Sequence, residues 1–243
     1  MMSLSYWPAD TTRPILDLTA GDALREAARE APGRTALVEV VPDGMASLVG
    51  ADATNRRWTY AELLAEAENC AHWLLESYKP GERVCIWAPN VPEWVFVQYG
   101  AALAGLVLVT ANPALRAGEL RYVLRQSQAV GLIHVDHFRG TDMAAVVGEV
   151  SNEVRETFCM AGWQTIVRGK SRSGALPVVK PGDPAQVQYT SGTTGEPKGA
   201  LLPHRGLVTN AYYVAARAGL NGGVFVSPMP LFHTAGSAMS VLG

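Results

Sequence analysis

The first part of the chain has apolar residues at helical spacing. Between residues 21 and 31, small and apolar positions recur three and four residues apart, which predicts a short amphipathic helix. Thr59 and Glu62 match a capping box, in which a Thr hydroxyl and a Glu carboxylate satisfy each other's backbone N–H groups at a helix start. We therefore expect a second helix from this point to residue 77, ended by the Lys-Pro-Gly sequence at 79–81.

Farther along, short continuous apolar runs alternate with helical patterns. The predicted strands are residues 84–88, 106–110 and 130–135. The predicted helices are residues 93–104, 118–127 and 141–150. Strands that are covered by helices on both faces have continuous apolar runs of this kind. The pattern predicts an α/β fold of layered parallel sheets flanked by helices, with right-handed connections.

The last third begins with a segment of different composition. Residues 169–183 are rich in Gly, Ser, Pro and basic residues, so we interpret them as a linker between a first α/β part (1–168) and a second part (184–243). The elements predicted in the second part are strand 186–190, a glycine-rich loop, strand 200–203, helix 204–218 and strand 224–227. The sequence stops within the apolar stretch 237–242, and because such a terminus needs a cover, we expect a longer parent protein.

Composition narrows the function classes. Of 243 residues, 48% are hydrophobic, and the 20 basic and 22 acidic side chains nearly cancel. Nucleic acid is therefore an unfavourable partner, because a basic surface field is missing. Cys70, Cys85 and Cys159 show neither CxxC nor zinc-ligand spacing, and we expect reduced thiols. The N-terminus lacks the features of a secretory signal, and the most apolar stretch, 94–109, is too short for a membrane span. We expect a cytoplasmic protein with at most peripheral membrane contact; its oligomeric state is not encoded in these patterns.

The segment Tyr189–Gly199 reads YTSGTTGEPKG and carries the candidate chemistry. Its small residues expose backbone N–H groups, and its hydroxyls and single lysine can donate to phosphate oxygens, as a polyphosphate site requires. It follows a predicted strand, and open α/β sheets bind ligands at the carboxyl ends of their strands. It is not a Walker-type loop, since Lys198 is followed by Gly199. The alternative reading from the residues alone is a flexible surface loop.

This segment resembles the phosphate-loop signature of the adenylate-forming (AMP-binding) enzymes. The resemblance covers most of the chain, and its further motifs are WTYAEL, GERV, NPALRAGELRYVLRQS, HFRGTDM and PMPLFHTAG. This set is similar to the fatty acyl-CoA synthetase branch of the superfamily. It implies that a fatty acid reacts with ATP to form an acyl-adenylate and pyrophosphate, after which coenzyme A displaces AMP.

The resemblance also implies roles for individual residues. The residues that would line the triphosphate of ATP are Thr190, Ser191, Gly192, Thr193, Thr194, Gly195 and Lys198. Thr190 would also be a ligand of Mg²⁺. His233 would stand beside the acyl pocket and the approach of the thiol, although a histidine in an apolar run is also compatible with a core role. Because His233, not an aspartate, follows Phe232, the substrate is expected to lack an α-amine. His204 is expected to open a helix and pack, and His72, His134 and His137 to be structural or exposed.

Three later signatures of the family do not occur in these 243 residues. They are the Tyr-Gly-x-Thr-Glu stretch, the Thr-Gly-Asp stretch that binds ribose, and a C-terminal lid domain with its catalytic lysine. We therefore expect an incomplete N-terminal adenylating domain, inactive alone, from a fatty acid-CoA ligase. The open alternatives are a non-catalytic nucleotide- or acyl-binding interaction module, and an adenylating enzyme that uses an aryl acid or a carrier-protein acceptor. Acyl chain length is also left open.

Overall fold

The structure, a computed structural model, describes residues 8, 11–41, 46–51, 55–168, 174–190, 195–220 and 222–242. Its helices are α1 (Ala20–Glu30), α2 (Tyr60–Ser77), α3 (Pro92–Leu103), α4 (Ala117–Ser127), α5 (Met143–Val150), α6 (His204–Ala218) and α7 (Thr234–Ser237). Its strands are β1 (Thr35–Val38), β2 (Arg57–Thr59), β3 (Arg83–Trp87), β4 (Val107–Ala111), β5 (Gly131–His134), β6 (His137–Phe138), β7 (Thr141–Asp142), β8 (Glu156–Cys159), β9 (Pro184–Thr190) and β10 (Lys198–Pro203).

A central six-stranded sheet has the order β10-β9-β4-β3-β5-β8. Strands β9, β4, β3, β5 and β8 are parallel, and only β10 runs antiparallel, at the β9 edge. Strands β1 and β2, and β6 and β7, form two small antiparallel ladders. The α/β class with a mainly parallel sheet flanked by helices is therefore confirmed.

The helix starts follow the local sequence signals. The Thr59 Oγ1 accepts from the Glu62 backbone N–H (3.2 Å), and the Glu62 carboxylate accepts from the Thr59 backbone N–H (2.8 Å), so the predicted capping box is present. Thr19 and Asp22 form a second capping box at α1. Asp142 caps α5 through the Ala145 N–H (2.9 Å), which is why that helix begins at Met143 and not at 141. Each cap satisfies backbone donors that a helix start leaves unpaired.

The core lies around α3 and the strands beside it. Every residue of α3 is buried, and so is every residue of β4. A Cβ on Gly100 would lie 2.7 Å from Cys70 Sγ, so the glycine allows α2 and α3 to approach closely. Cys70 and Cys85 are buried, and Cys159 is half-buried. Within the described residues, no helix is both long and apolar enough to cross a membrane.

Several elements differ from the sequence-based prediction. Strands β9 and β10 form a hairpin, because the residues 191–197 between them are too few for the crossover that a parallel pair needs. The edge strand β8 was not predicted, since its Glu and Thr residues interrupt the apolar pattern. The strand predicted at 224–227 is wrong: these residues are not in a ladder, and Val224 and Val226 are 91% and 80% exposed.

The segment between the two predicted parts packs on the molecule where it is described. The Asp183 carbonyl accepts from His204 N–H (3.2 Å), and the Pro181 carbonyl accepts from Arg205 N–H (2.8 Å), which places the start of α6. Strands from both sides of this segment share the central sheet. The division into two parts at residues 169–183 stays a prediction.

Candidate active site

The glycine-rich loop leaves the sheet at the carboxyl end of β9. In the register of β9 with β4, Gln188 lies beside Thr110, so Thr190 is just past the end of β4. Thr190 stands opposite Lys198 across the hairpin. Directly opposed residues of an antiparallel pair project to the same face, so the hydroxyl and the ammonium border one side of the loop. The strand that precedes the loop, β9, thus ends at the carboxyl edge of the parallel strands, as predicted.

Alternation along β9 determines which side that is. Side chains two residues apart share a face, so Gln186, Gln188 and Thr190 project together. The side chains of Gln186 and Gln188 contact residues of the PMPLFHTAG segment, 228–236, and the residue that follows it. Thr190 and Lys198 therefore lie on the face of the hairpin on which that segment packs.

The opposite face of the hairpin rests on α4. The Tyr189 hydroxyl contacts the Gln126 amide oxygen and donates to the Val123 carbonyl (3.2 Å). The Tyr122 hydroxyl donates to the Pro197 carbonyl (2.9 Å), at the far end of the loop. Burial raises the pKa of Tyr189 to about 12, so this phenol stays protonated and serves as a donor at neutral pH. These bonds secure the residues at both ends of the loop, Tyr189 and Pro197, from the face that packs on α4.

Glycine is required where β10 begins. A Cβ on Gly199 would lie 2.9 Å from Val187 Cγ1 and 3.2 Å from Gln126 Oε1. The other described glycine of the motif, Gly195, has a backbone φ angle of +119°, a conformation that side-chain-bearing residues rarely adopt. The structure thus gives a reason for glycine at two of the three glycine positions of the motif.

Asparagine and glutamine side chains hold the segment that carries His233. Asn90, in the turn after β3, donates from Nδ2 to the Met229 carbonyl (2.8 Å), and its Oδ1 accepts from the Leu231 N–H (2.9 Å). Gln188 donates from Nε2 to the Phe232 carbonyl (3.0 Å). These contacts place residues 229–232 over the carboxyl ends of β3 and β9.

His233 itself is exposed and begins the short helix α7. Its Nδ1 accepts from the Ala235 N–H (3.2 Å), so Nε2 carries the proton of the neutral ring. Its carbonyl accepts from the Ser237 N–H (2.9 Å) and from the Ser237 hydroxyl (3.2 Å). The exposed ring and the bonded backbone are what a residue facing a ligand would require, and they do not match the core role that was the alternative.

The described residues allow only part of the predicted site to be placed. Thr190, Gly195 and Lys198 lie together at the mouth of the hairpin, all three exposed, and the Gln188–Phe232 bond brings the His233 segment to the same strand end. Ser191, Gly192, Thr193 and Thr194 lie outside the described residues. The roles of all eight residues stay predictions.

The fit of a magnesium ion can be tested on the side chains present. The sequence predicts one ligand of Mg²⁺ in this chain, the Thr190 hydroxyl, and this residue is described. Across the described ranges, no group of three or more His, Cys, Asp or Glu side chains could hold a metal ion. These residues do not form a magnesium site by themselves, and Thr190 as a ligand stays a prediction.

Sequence reasoning missed the amide side chains that organise this region. Gln98, Gln186 and Gln188 are nearly fully buried, at 6%, 2% and 5% exposure. Their signal in the sequence is a glutamine inside an otherwise apolar helix or strand, where a buried amide needs a hydrogen-bond partner. Asn90 is recognisable only by its place in the turn after a parallel strand.

A buried ion cluster lies next to the turn after β3 that contains Asn90. Arg56 binds Glu93 through Nη1 (2.7 Å) and Glu39 through Nε (2.8 Å), and its guanidinium carbon lies 5.0 Å from the centre of the Trp58 ring. Glu93, in the first turn of α3, is fully buried, and this burial raises the pKa of its carboxyl group. The Arg56 hydrogen bonds and charge favour the ionised form and oppose that effect.

Known proteins are similar to this sequence over nearly its whole length. A family model described as AMP-binding enzyme matches residues 24–243. The chain is 30% identical over 270 residues to the mitochondrial medium-chain acyl-CoA ligase ACSF2 of Danio rerio, covering 97% of this chain and 42% of that protein. It is 31% identical over 260 residues to the putative acyl-CoA synthetase YngI of Bacillus subtilis, covering 94% and 45% respectively. The chain spans less than half the length of these curated relatives.

Solved structures share its fold. A fatty acyl CoA synthetase of Mycobacterium tuberculosis matches with a TM-score of 0.73 and 26% identity, over 92% of this chain and 42% of that one. The long-chain-fatty-acid-CoA ligase FadD1 of Archaeoglobus fulgidus has a TM-score of 0.82 over 99% of this chain and 48% of that one, and at 24% identity it is evidence of fold alone. Since the family model covers most of the sequence and the resemblance of its motifs agrees, this chain belongs to the AMP-binding enzyme family.

Proposed function

We propose that the protein containing this chain activates a medium- or long-chain fatty acid with ATP and transfers the acyl group to coenzyme A. The observation that carries the proposal is the meeting of two motifs at one strand end. Thr190 and Lys198 border the glycine-rich loop on one face of the β9–β10 hairpin, and Gln188, on that same face, binds the residue before His233.

The residues of the chain suit the first step of such a reaction. The carboxylate oxygen of the acid attacks the α-phosphorus of ATP, the bond from that phosphorus to the α,β-bridging oxygen breaks, and negative charge accumulates on the departing pyrophosphate. Preorganised donors aimed at that charge lower the barrier. Lys198 and the small hydroxyl residues of the loop are the donors we propose, with the loop backbone held from behind by Tyr122 and Tyr189.

The acyl group is proposed to lie along the His233 segment. The substrate is a carboxylic acid without an α-amine, because a histidine follows Phe232 where amino-acid-activating members of the family have an aspartate. The relatives' names, which include a medium-chain acyl-CoA ligase and a fatty acyl CoA synthetase, support a fatty acid. Chain length within that range is for the assay to determine.

The activity is assigned to the protein that contains this chain, because the chain spans less than half the length of its curated relatives. The later family signatures, for ribose binding and for the catalytic lysine, do not occur within these 243 residues. We propose that residues 1–243 alone do not form acyl-adenylate. A cytoplasmic location is proposed as well.

The test is acid-dependent pyrophosphate release by the full-length protein, with acyl-CoA identified by mass spectrometry. The acids compared are octanoate, palmitate, benzoate and aspartate, each with ATP and coenzyme A. Release with octanoate or palmitate and formation of the matching acyl-CoA are expected. A preference for benzoate would replace the fatty acid in the proposal by an aryl acid. Formation of acyl-adenylate without transfer to coenzyme A would replace coenzyme A by a carrier protein as the acceptor. Absence of turnover with every acid would favour a binding module.

A further inference from the structure

We propose that Gln188 is a positioning residue that fixes the distance between the acyl segment and the phosphate loop, with Gln186 as its support. The inference rests on the proposed function, because the two elements that it links are the proposed binding sites for acid and ATP. Neither glutamine belongs to the motif residues that were assigned to either substrate.

The amide of Gln188 lies at the centre of a buried set of polar contacts. Its Nε2 donates to the Phe232 carbonyl (3.0 Å), directly before His233. Its Oε1 accepts from Gln186 Nε2 (3.2 Å) and lies 3.5 Å from the Thr110 hydroxyl of β4. The amide orientation is thereby determined: the oxygen faces donors from the sheet, and the nitrogen faces the acyl segment.

Gln186 extends the connection to the other side of His233. Its Nε2 also lies 3.2 Å from Ser237 Oγ, and that hydroxyl donates to the His233 carbonyl (3.2 Å). The Ser237 carbonyl accepts from Gln98 Nε2 of α3 (2.9 Å). His233 is thus held on both sides, at Phe232 and at Ser237, by amide groups that reach from the strand leading into the phosphate loop.

The bonds to the Phe232, His233 and Ser237 carbonyls run from side chain to backbone. Residues 228–233 are not part of a β-ladder, so no continuous series of backbone bonds sets their register against β9. Their position depends on a few amide side chains. Gln188 is two residues from Thr190, so a shift of the Phe232 carbonyl relative to Gln188 changes the spacing between His233 and the phosphate loop.

Spacing matters because two substrates must meet in line. A misplacement of about 1 Å between reacting groups can cost roughly 10²-fold in rate, without a loss of binding. The inference therefore separates turnover from affinity. Loss of the Gln188 amide should lower kcat for adenylate formation and leave ATP binding nearly intact.

The first test compares two variants of the full-length protein. Gln188→Met keeps the length of the side chain and removes its hydrogen bonds. Gln188→Glu keeps the shape, and only its protonated form can donate to the Phe232 carbonyl. We expect Gln188→Met to lower kcat by about 10- to 100-fold with KM for ATP within about twofold. The deficit of Gln188→Glu should shrink as pH falls, whereas that of Gln188→Met should not change with pH.

The control is Gln164→Met, the same substitution at a half-buried glutamine near the end of β8, the opposite edge strand of the sheet. It should leave kcat and KM unchanged. Equal loss in both Gln→Met variants, or a rise in KM for ATP with kcat unchanged in Gln188→Met, would overturn the inference. A flat pH profile for the Gln188→Glu deficit would do the same.

A second measurement does not depend on activity. Hydrogen exchange of the backbone amides at 231–237 should become about three- to tenfold faster in Gln188→Met, as expected for the loss of one buried hydrogen bond, and exchange in β4 should stay the same. If the wild-type protein activates no acid but this exchange response is seen, the proposed function falls and the positioning of the segment by Gln188 stands. If exchange at 231–237 does not change, the positioning inference falls whatever the activity.

Discussion

Gln188 Nε2 donates a hydrogen bond to the Phe232 carbonyl across 3.0 Å, and this contact joins two motifs that lie 44 residues apart in the sequence. One motif supplies the strand that leads into the phosphate loop, and the other supplies His233. The contact is possible because Gln188 faces the same side of β9 as Thr190, and because a buried glutamine must find partners for both ends of its amide. The contact thus brings the residue before His233 to the carboxyl end of β9, where the glycine-rich loop begins.

The first prediction concerns Gly236, in the turn after His233. A Cβ at this position would lie 2.6 Å from the Pro230 carbonyl carbon and 2.8 Å from Leu231 Cα, and backbone atoms cannot give way as a flexible side chain can. Gly236→Ala should therefore displace residues 230–231 and lower the rate of adenylate formation. We expect a lower melting temperature together with a loss of kcat, measured by calorimetry and pyrophosphate release.

The matched control is Gly148→Ala in α5, where an added Cβ meets no atom within 4 Å. Alanine is the better helix former by about 1 kcal/mol, so this variant should be slightly more stable and fully active. If Gly236→Ala behaved like Gly148→Ala, the close approach of Gly236 to the Pro230 backbone would not be needed for activity.

The main elements could be predicted because their signals are local. The capping box at Thr59 and Glu62 marks the start of α2, and the continuous apolar runs mark β3, β4 and β5. Elements that depend on distant partners were harder. Strand β8 has exposed Glu156 and Thr157 and is a strand because β5 lies beside it. Conversely, residues 224–227 have strand-like composition, but they are not in a ladder with any strand in the described part of the chain.

In the candidate site, too, some features follow from local sequence and others depend on distant partners. The small, hydroxyl-rich composition of Tyr189–Gly199, which suggests a phosphate site, and the start of this segment at a strand end can be read from the sequence. The hydrogen bond between Gln188 and Phe232 cannot, because it depends on how residues 229–237 pack against side chains of α3 and β9. The sequence also does not distinguish an exposed His233 from a buried one, since its neighbours are apolar in either case.

The second prediction concerns Arg56, which neutralises the fully buried Glu93 at the start of α3. Removing one partner of a buried ion pair leaves the other uncompensated and typically costs about 3–5 kcal/mol. Arg56→Met should therefore destabilise the protein strongly in urea unfolding. Because burial already raises the pKa of Glu93, loss of Arg56 should raise it further, and the destabilisation should diminish at acidic pH, where the carboxyl group is neutral.

The comparison variant is Arg29→Met, which removes an arginine whose Nη2 lies 4.0 Å from Glu30 Oε1, with the two side chains 73% and 74% exposed. Exposed pairs contribute little to stability, so this variant should unfold nearly as the wild type does. Similar losses in the two variants would mean that the Arg56 cluster has no special role.

The third prediction tests the phosphate-loop assignment. Lys198 stands opposite Thr190 at the mouth of the loop, and we expect Lys198→Ala to lower the rate of adenylate formation by about 10²-fold, the usual cost of removing one donor to developing negative charge. Adding Thr193→Ala should reduce the rate further. Lys79→Ala is the control, since Lys79 is exposed and precedes β3, at the amino ends of the parallel strands. Normal ATP affinity and turnover in the Lys198→Ala, Thr193→Ala double variant would remove both residues from the site.

The last prediction concerns His204, which is fully buried at the first position of α6. Its Nδ1 accepts from the Ala20 N–H at the start of α1 (3.3 Å), and a protonated Nδ1 could not accept this bond. Burial lowers the pKa of His204, although the negative charges of Asp183 and Asp22 oppose the shift. Below about pH 6.5, the ordinary value for histidine, the unfolded chain therefore binds a proton that the folded chain resists. Stability should be complete above that pH and should fall as pH drops through the range between the unfolded and folded values.

His204→Gln offers an amide in place of the ring and does not titrate, so its melting temperature should depend less on pH between 7 and 5 than that of the wild type. His137→Gln, at an exposed histidine in β6, should keep the wild-type dependence. Thermal unfolding at a series of pH values distinguishes these cases. If the wild type and His204→Gln lost stability in parallel on acidification, the α1–α6 contact would not be the acid-sensitive element, and the carboxyl groups of the protein would account for the loss.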